Sequence, residues 1–278
     1  MSFGVLLAVL AAAFLHALWN ALVKQGSNRL TTMVVLTLAQ GAIGGAVGAA
    51  LYWPTPEVWL WILASGAFHM AYQFFLTFAY DQGDLSRVYP IARGFAPLVV
   101  LVFGAIWLAD QVEMIEYAGV SVLGLGILLM AHGAFSNGEG RKLVPFALGS
   151  ACATAGYTLV DGLGARVSGA PVAYVGWLLF TNAVLFTILN LVWRGPAVFR
   201  ASRTVWLKGT LGGAASYGSY AIAVWAMTLA PIALVAAIRE TSILFAVLIG
   251  WAVLGERIDR WKALAALLIV GGVVLTRL

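Results

Sequence analysis

The stretch PIALVAAIRETSILFAVLIGWAVL, residues 231–254, decides how this chain is read. Its 24 residues hold two charged side chains, Arg239 and Glu240, and both stand near the middle. A helix rises about 1.5 Å per residue, so roughly 20 apolar residues cross the ~30 Å hydrocarbon core of a bilayer. The stretch therefore predicts a transmembrane helix that carries two charges to mid-membrane depth.

The same pattern repeats in both directions. Apolar runs broken by short polar or Gly/Pro-containing segments predict ten spans, near 3–23, 31–53, 57–80, 86–108, 112–133, 143–165, 171–193, 203–229, 231–254 and 260–277. Of the 278 residues 62% are hydrophobic and 10% charged, against roughly 25% charged in soluble domains. Such a chain cannot clothe a water-soluble surface, and its short connections leave no room for a sizeable soluble domain. The lipid bilayer is its expected partner, and a multi-pass place in a bacterial cytoplasmic membrane its expected location. The +5 net charge is assigned to cytoplasmic loops rather than to a nucleic-acid partner. A single cysteine, Cys152, excludes an intramolecular disulfide and leaves no thiol pair for a metal or redox centre, so no cofactor is expected. The N-terminus enters its apolar run without a basic flank, so the first segment is expected to stay as a span rather than be cleaved.

The longest polar connection, Ser136-Asn137-Gly138-Glu139-Gly140-Arg141-Lys142, divides the chain into 1–135 and 143–278. Laying Arg93 to Met130 on Arg239 to Thr276 at a constant offset of 146 matches Arg93 with Arg239, Gly104 with Gly250, Leu108 with Leu254, Asp110 with Glu256, Glu113 with Asp259 and Gly126 with Gly272. Upstream, Leu22-Val23-Lys24 matches Leu159-Val160-Asp161 at an offset of 137. Two halves of five spans each would enter the membrane in opposite orientations. Such inverted repeats suit alternating access, in which one unit, facing each way, gates a central site.

Lys24, Arg29, Arg87, Arg141, Lys142, Arg194, Arg200, Arg203, Lys208, Arg257, Arg260 and Lys262 fall at odd-numbered connections. Only Arg166 and Arg277 fall at even connections or termini, which puts the odd connections in the cytoplasm and both termini outside.

The ten spans, the two five-helix halves and the turn Leu254-Gly255-Glu256 resemble the EamA-like group of the drug/metabolite transporter superfamily. Gly271-Gly272 follows that turn, and a degenerate Leu108-Ala109-Asp110 with Gly124 and Gly126 occupies the matching place in the first half. The resemblance implies a small-molecule transporter whose central cavity is lined by the first, third, fourth, sixth, eighth and ninth helices. It also implies cytoplasmic termini, against the charge count. The family often carries a Glu-Pro pair thirteen residues before the terminal acid. Here Pro97 keeps the proline, whereas Ser242-Ile243 replaces the pair in the second half and the acid stands two residues earlier as Glu240.

Ionisable groups inside a span are costly and usually face a cavity or the bundle interior. His16, Trp19 and Asn20 share a helical face, as do His69, Tyr72, Gln73 and Tyr80. With Tyr157, Tyr217 near Ser216, Tyr220, Arg93, Arg239 and Glu240, they would form an aromatic substrate pocket with a few polar groups. Each has a plainer alternative: interhelical hydrogen bonds for His16, Asn20, His69 and Gln73, and structural pairing for the arginines. Trp53, Trp59, Trp61, Trp193 and Trp206 are expected in the interfacial belts, and Lys24 and Asp161 to snorkel toward water. The two arginines favour a small organic anion or an amino-acid-like zwitterion over a cation. Glu240, with Asp161 behind it, is the candidate acid for proton coupling. Gly41, Gly44, Gly45 and Gly48, with Gly119, Gly124 and Gly126, are read as packing surfaces, and a homodimer through one of them stays open.

An intramembrane enzyme is the remote alternative. The three histidines are scattered, no His-Glu-x-x-His pattern exists, and Ala214 stands where a serine-nucleophile turn needs glycine. A purely structural protein leaves the inward polar faces without a purpose. No Gly-x-x-x-x-Gly-Lys-Ser/Thr loop is present, so a proton or exchange gradient is the expected drive and export the expected direction, with uptake or equilibrative exchange as the alternative. A cysteine placed at Ser202 in a Cys152→Ser background is expected to react with an impermeant maleimide from the cytoplasmic side. Reaction from outside alone would reverse the orientation and leave the repeat intact.

Overall fold

The computed structural model describes residues 1–24, 29–82, 85–108, 110–130, 143–254 and 260–277. Polar connections at 25–28, 83–84 and 131–142, Ala109, and the turn residues Gly255 and Glu256 with Asp259 lie outside the described residues. So do the side chains of Lys24, Arg29, Gln73, Tyr80, Arg87 and Arg194.

Every regular element among the described residues is helical: α1 (Phe3–Lys24), α2 (Arg29–Leu51), α3 (Pro56–Gln82), α4 (Leu85–Trp107), α5 (Met114–Met130), α6 (Leu143–Ser168), α7 (Pro171–Arg194), a short 3-10 turn (Pro196–Phe199), α8 (Arg203–Met227), α9 (Ile232–Arg239), α10 (Ser242–Leu254) and α11 (Arg260–Leu275). Proline opens α3 and α7, where its missing N–H costs nothing, and Ser202 caps α8 by accepting from the Val205 N–H at 3.4 Å. Gly169 ends α6 with φ +64°, a left-handed value that glycine reaches without strain.

Phe3–Val23, Thr31–Leu51, Pro171–Trp193 and Ile232–Ala252 are long and apolar enough to cross a membrane. Arg93–Trp107 and Met114–Leu129 are shorter apolar helices. At 26, 27 and 25 residues α6, α3 and α8 have the length, roughly 40 Å. Their apolar runs are interrupted because they carry the interior polar groups, such as Ser65 and His69, Thr158 and Asp161, and Ser219 and Tyr220.

The ninth predicted span is not one helix. It breaks at Glu240-Thr241 into α9 and α10, and amides at 240, 241, 243 and 244 bond carbonyls three residues back at 2.9–3.0 Å instead of four. Asp161 also departs from expectation. It stands seven residues inside the end of α6, is fully buried and does not snorkel, because hydroxyls of neighbouring helices reach it first.

The dominant packing partners are α3 with α6, α2 with α7, α5 with α11, α1 with α8, α2 with α8 and α4 with α6, followed by α4 with α5 and α1 with α10. Glycines make two of these seams. A Cβ on Gly44 would lie 2.7 Å from the Gly176 carbonyl oxygen, and one on Gly272 would lie 2.6 Å from that of Gly119. Gly41, Gly45 and Gly48 face Ala183, Phe180 and Trp177 of α7, so this stripe is consumed inside the chain and is not an intermolecular surface. With lipid as apolar as leucine, close backbone approach is what holds such helices together. Gly44→Val should force α2 from α7 at a cost of about 1–3 kcal/mol, as overpacking of a tight site does. The check is thermal unfolding in detergent, where Gly4→Val, whose Cβ meets nothing within 4 Å, is the neutral control.

Candidate functional site

Adjacent residues on a regular helix point roughly 100° apart. The tightened turn at 240–241 helps aim Arg239 and Glu240 at different helices. Glu240 turns to α4, where its Oε2 lies 3.0 Å from Arg93 Nε in an ion pair lacking the directional geometry of a hydrogen bond. Arg239 turns to α8, its guanidinium 5.4 Å from the centre of the Tyr220 ring. All three ionic side chains are buried.

Arg93 ties this pair to α1 as well. Its Nη2 is 3.1 Å from His16 Nε2. A guanidinium can only donate, so His16 Nε2 accepts. Trp19 packs edge-on to the His16 ring at 5.1 Å, and the Asn20 amide donates to the His16 carbonyl at 2.8 Å.

A second centre forms around Asp161. Tyr174 of α7 donates to Oδ1 at 3.2 Å and Tyr220 of α8 donates to Oδ2, while the Ser65 hydroxyl of α3 lies 3.2 Å from His69 Nδ1. His69 Nδ1 lies 3.0 Å from the Ser65 carbonyl, which can only accept, so Nδ1 carries the hydrogen. The His69 ring stacks on Tyr157 at 4.1 Å, and Tyr72 meets Tyr157 edge-on at 6.0 Å. Tyr220 thus joins the centres: its hydroxyl binds the acid while its ring lies beneath the cation.

The predicted site residues are therefore sorted by the fold. His16, Trp19, Arg93 and Glu240 come together, as do His69, Tyr72, Tyr157, Tyr220 and Asp161, with Arg239 between the groups. Asn20 donates to its own helix, and Tyr217 donates to the Val172 carbonyl at 3.2 Å instead of joining Asp161. Ser216 bonds Gln40 at 2.8 Å. Sequence reasoning missed Tyr174 and Ser65. Tyr174 sits in the first turn of its span, where a tyrosine reads as a belt residue, and Ser65 lies one turn before His69 and was passable as packing. Arg239 Nε, Thr241 Oγ1 and Ser242 Oγ are buried without hydrogen-bond partners among the described residues, and all three flank the break in the ninth span.

Membrane-spanning helices thus surround a buried set of charges and aromatic hydroxyls, and the family to which the chain belongs is one of membrane transporters. Residues 2–131 and 141–278 both match the model of the EamA-like transporter family, and the chain belongs to that family as a multi-pass integral membrane protein. A relative from Sinorhizobium sp., described as an uncharacterized transporter in the cobO 3' region, is 28% identical over 137 residues, covering 45% of this chain and 93% of the relative. A protein of known crystal structure shares the fold with a TM-score of 0.76 at 21% identity, covering 98% of both chains.

Tyr220→Phe keeps the ring under Arg239 but removes a donor from a buried carboxylate, so unfolding should cost about 1–3 kcal/mol less. The loss should shrink in an Asp161→Asn background, because the two side chains act as one unit. Full additivity in chemical unfolding would separate them.

Proposed function

We propose that the chain is a secondary transporter that moves a small organic metabolite by alternating access, in the direction of export. The observation that carries this reading is the charged mid-span centre, drawn from both halves and built on a broken helix. Transporters bind substrate near the bilayer midplane with discontinuous helices, whose loosened backbone and freed side chains can meet a ligand. Two features support an inverted duplication behind it. One family model matches twice, once in each half. The helix pairs α1/α8 and α6/α3 exchange with one another when the halves are swapped, and α2/α7 and α5/α11 map on themselves, whereas α2/α8 packs far more extensively than its counterpart α7/α3.

The substrate class follows from the two centres. Arg239 Nε, Thr241 and Ser242 offer unspent donors to a carboxylate or similar anion, and Asp161, whose partners are neutral hydroxyls, offers a charge to an ammonium group. A small organic anion or an amino-acid-like zwitterion fits this spacing better than a lone cation. Glu240 and Asp161 are the acids able to carry a proton between the faces of the membrane. Uptake or exchange by the same machinery differs only in which gradient drives it.

A metabolite panel screened by thermal shift on the purified protein identifies the ligand, since binding to the folded state alone raises stability by mass action. Arg239→Lys keeps the charge but loses the planar fork, so it should weaken binding of that ligand roughly tenfold or more with a smaller effect on melting. Glu240→Gln should abolish gradient-driven accumulation in proteoliposomes yet retain exchange. Unchanged accumulation would exclude Glu240 and leave Asp161 as the coupling acid.

A further inference from the structure

A separate charge cluster lies at the even-numbered connections. Arg166, two residues before the end of α6, grips Asp110 in the α4–α5 connection with Nη1 to Oδ1 at 2.7 Å and Nη2 to Oδ2 at 3.1 Å. Arg166 Nε also donates to the Met227 carbonyl at the end of α8 at 2.9 Å, and Nη2 to the Ala230 carbonyl at 3.2 Å. Asp110 Oδ2 in turn accepts the Ile232 N–H at 3.0 Å, the first amide of α9. Asp110 belongs to the first half of the chain, and its partners among the described residues, Arg166 and Ile232, belong to the second.

Burial separates this pair from those of the midplane. Side-chain exposure is 30% for Arg166 and 16% for Asp110, against 6% and 4% for Arg93 and Glu240. A forked, charge-assisted pair at that depth is strong enough to hold two halves together. It can also part without stranding a charge in hydrocarbon, because water reaches both partners.

The element joining the two clusters is α9. It has eight residues, about 12 Å at 1.5 Å per residue, and all of them are buried. Its first N–H is held by Asp110, and its far end carries Arg239 and runs into Glu240. A short rigid helix pinned at one end by a latch and at the other by the substrate-site charges moves as one body or not at all.

We propose that Asp110 and Arg166 form the latch that closes the even-numbered face, and that α9 transmits the state of the Arg93–Glu240 pair to it. This rests on the alternating-access reading above, but its test needs no substrate. Spin labels are placed on cysteines at Met114 and Leu229, which are 84% and 57% exposed and flank the latch, in a Cys152→Ser background. Double electron–electron resonance of the full chain in lipid nanodiscs reads the distance between them. The parent should show mainly one short distance. Asp110→Asn and Arg166→Gln should raise the ratio of long to short populations roughly tenfold, the size expected for losing a charge-assisted pair. Arg166→Lys, which keeps the charge and loses the fork, should give a smaller change in the same direction and serves where the other variants do not fold. Glu240→Gln, at the far end of α9, should shift the same distance. Unchanged distributions in the latch variants overturn the latch. A shift in those variants with none in Glu240→Gln overturns transmission through α9. Absence of transport by a parent with the expected distances would sink the transport reading and leave the latch standing.

Discussion

A charge carried into hydrocarbon must be neutralised within the protein or by what the protein binds, since leaving it alone costs several kcal/mol. Among the described residues four such charges occupy the interior: Arg93, Arg239, Asp161 and Glu240. Arg93 and Glu240 meet directly. Arg239 and Asp161 are held apart by Tyr220, which serves one with its ring and the other with its hydroxyl. Because the partners come from α4, α6, α8 and α9, neither half of the chain can satisfy its charges alone. The break in the ninth span belongs to the same constraint, since it lets adjacent residues of one helix serve different neighbours.

Around this pinned centre two helix seams are built on glycine. Gly44 against Gly176 and Gly119 against Gly272 bring backbones into direct contact, with Ala183, Phe180 and Trp177 packed beside the first pair and Leu123 and Thr276 beside the second. Interfaces of that kind hold by close contact, and a modest roll of one helix on the other breaks few specific bonds. Among the described residues the ion pairs are concentrated instead at the mid-membrane charges and at the Asp110–Arg166 cluster, where a few changes of partner bear on the arrangement of the halves.

Membrane insertion was legible in the sequence because it rests on run length and composition, and the family followed from the same runs with the turn at residues 254–256. The break at Glu240-Thr241 was not. An eight-residue helix followed by a thirteen-residue one has the same hydropathy as a single span, and only the charges at 239 and 240 marked the place. Asp161 was misjudged for a related reason. Depth was counted from the span end, whereas burial depends on Tyr174 and Tyr220, which come from helices distant in sequence. Arg166 was merely counted as one of two cations on the sparse side. Both prove engaged, Arg166 with Asp110 and Arg277 with the Met1 carbonyl, a fact that counting charges cannot supply.

The interior charges also bear on the membrane potential. Moving one elementary charge across 100 mV takes about 2.3 kcal/mol of electrical work. Two arginines and two acids carry formal charges that sum to zero, so a rearrangement that moves them as a group does almost no work against the field. With both acids ionised, voltage would act on this protein only through what it carries, and under the coupling proposed above that includes the proton, so even a neutral cargo would feel how strongly the cell is energised.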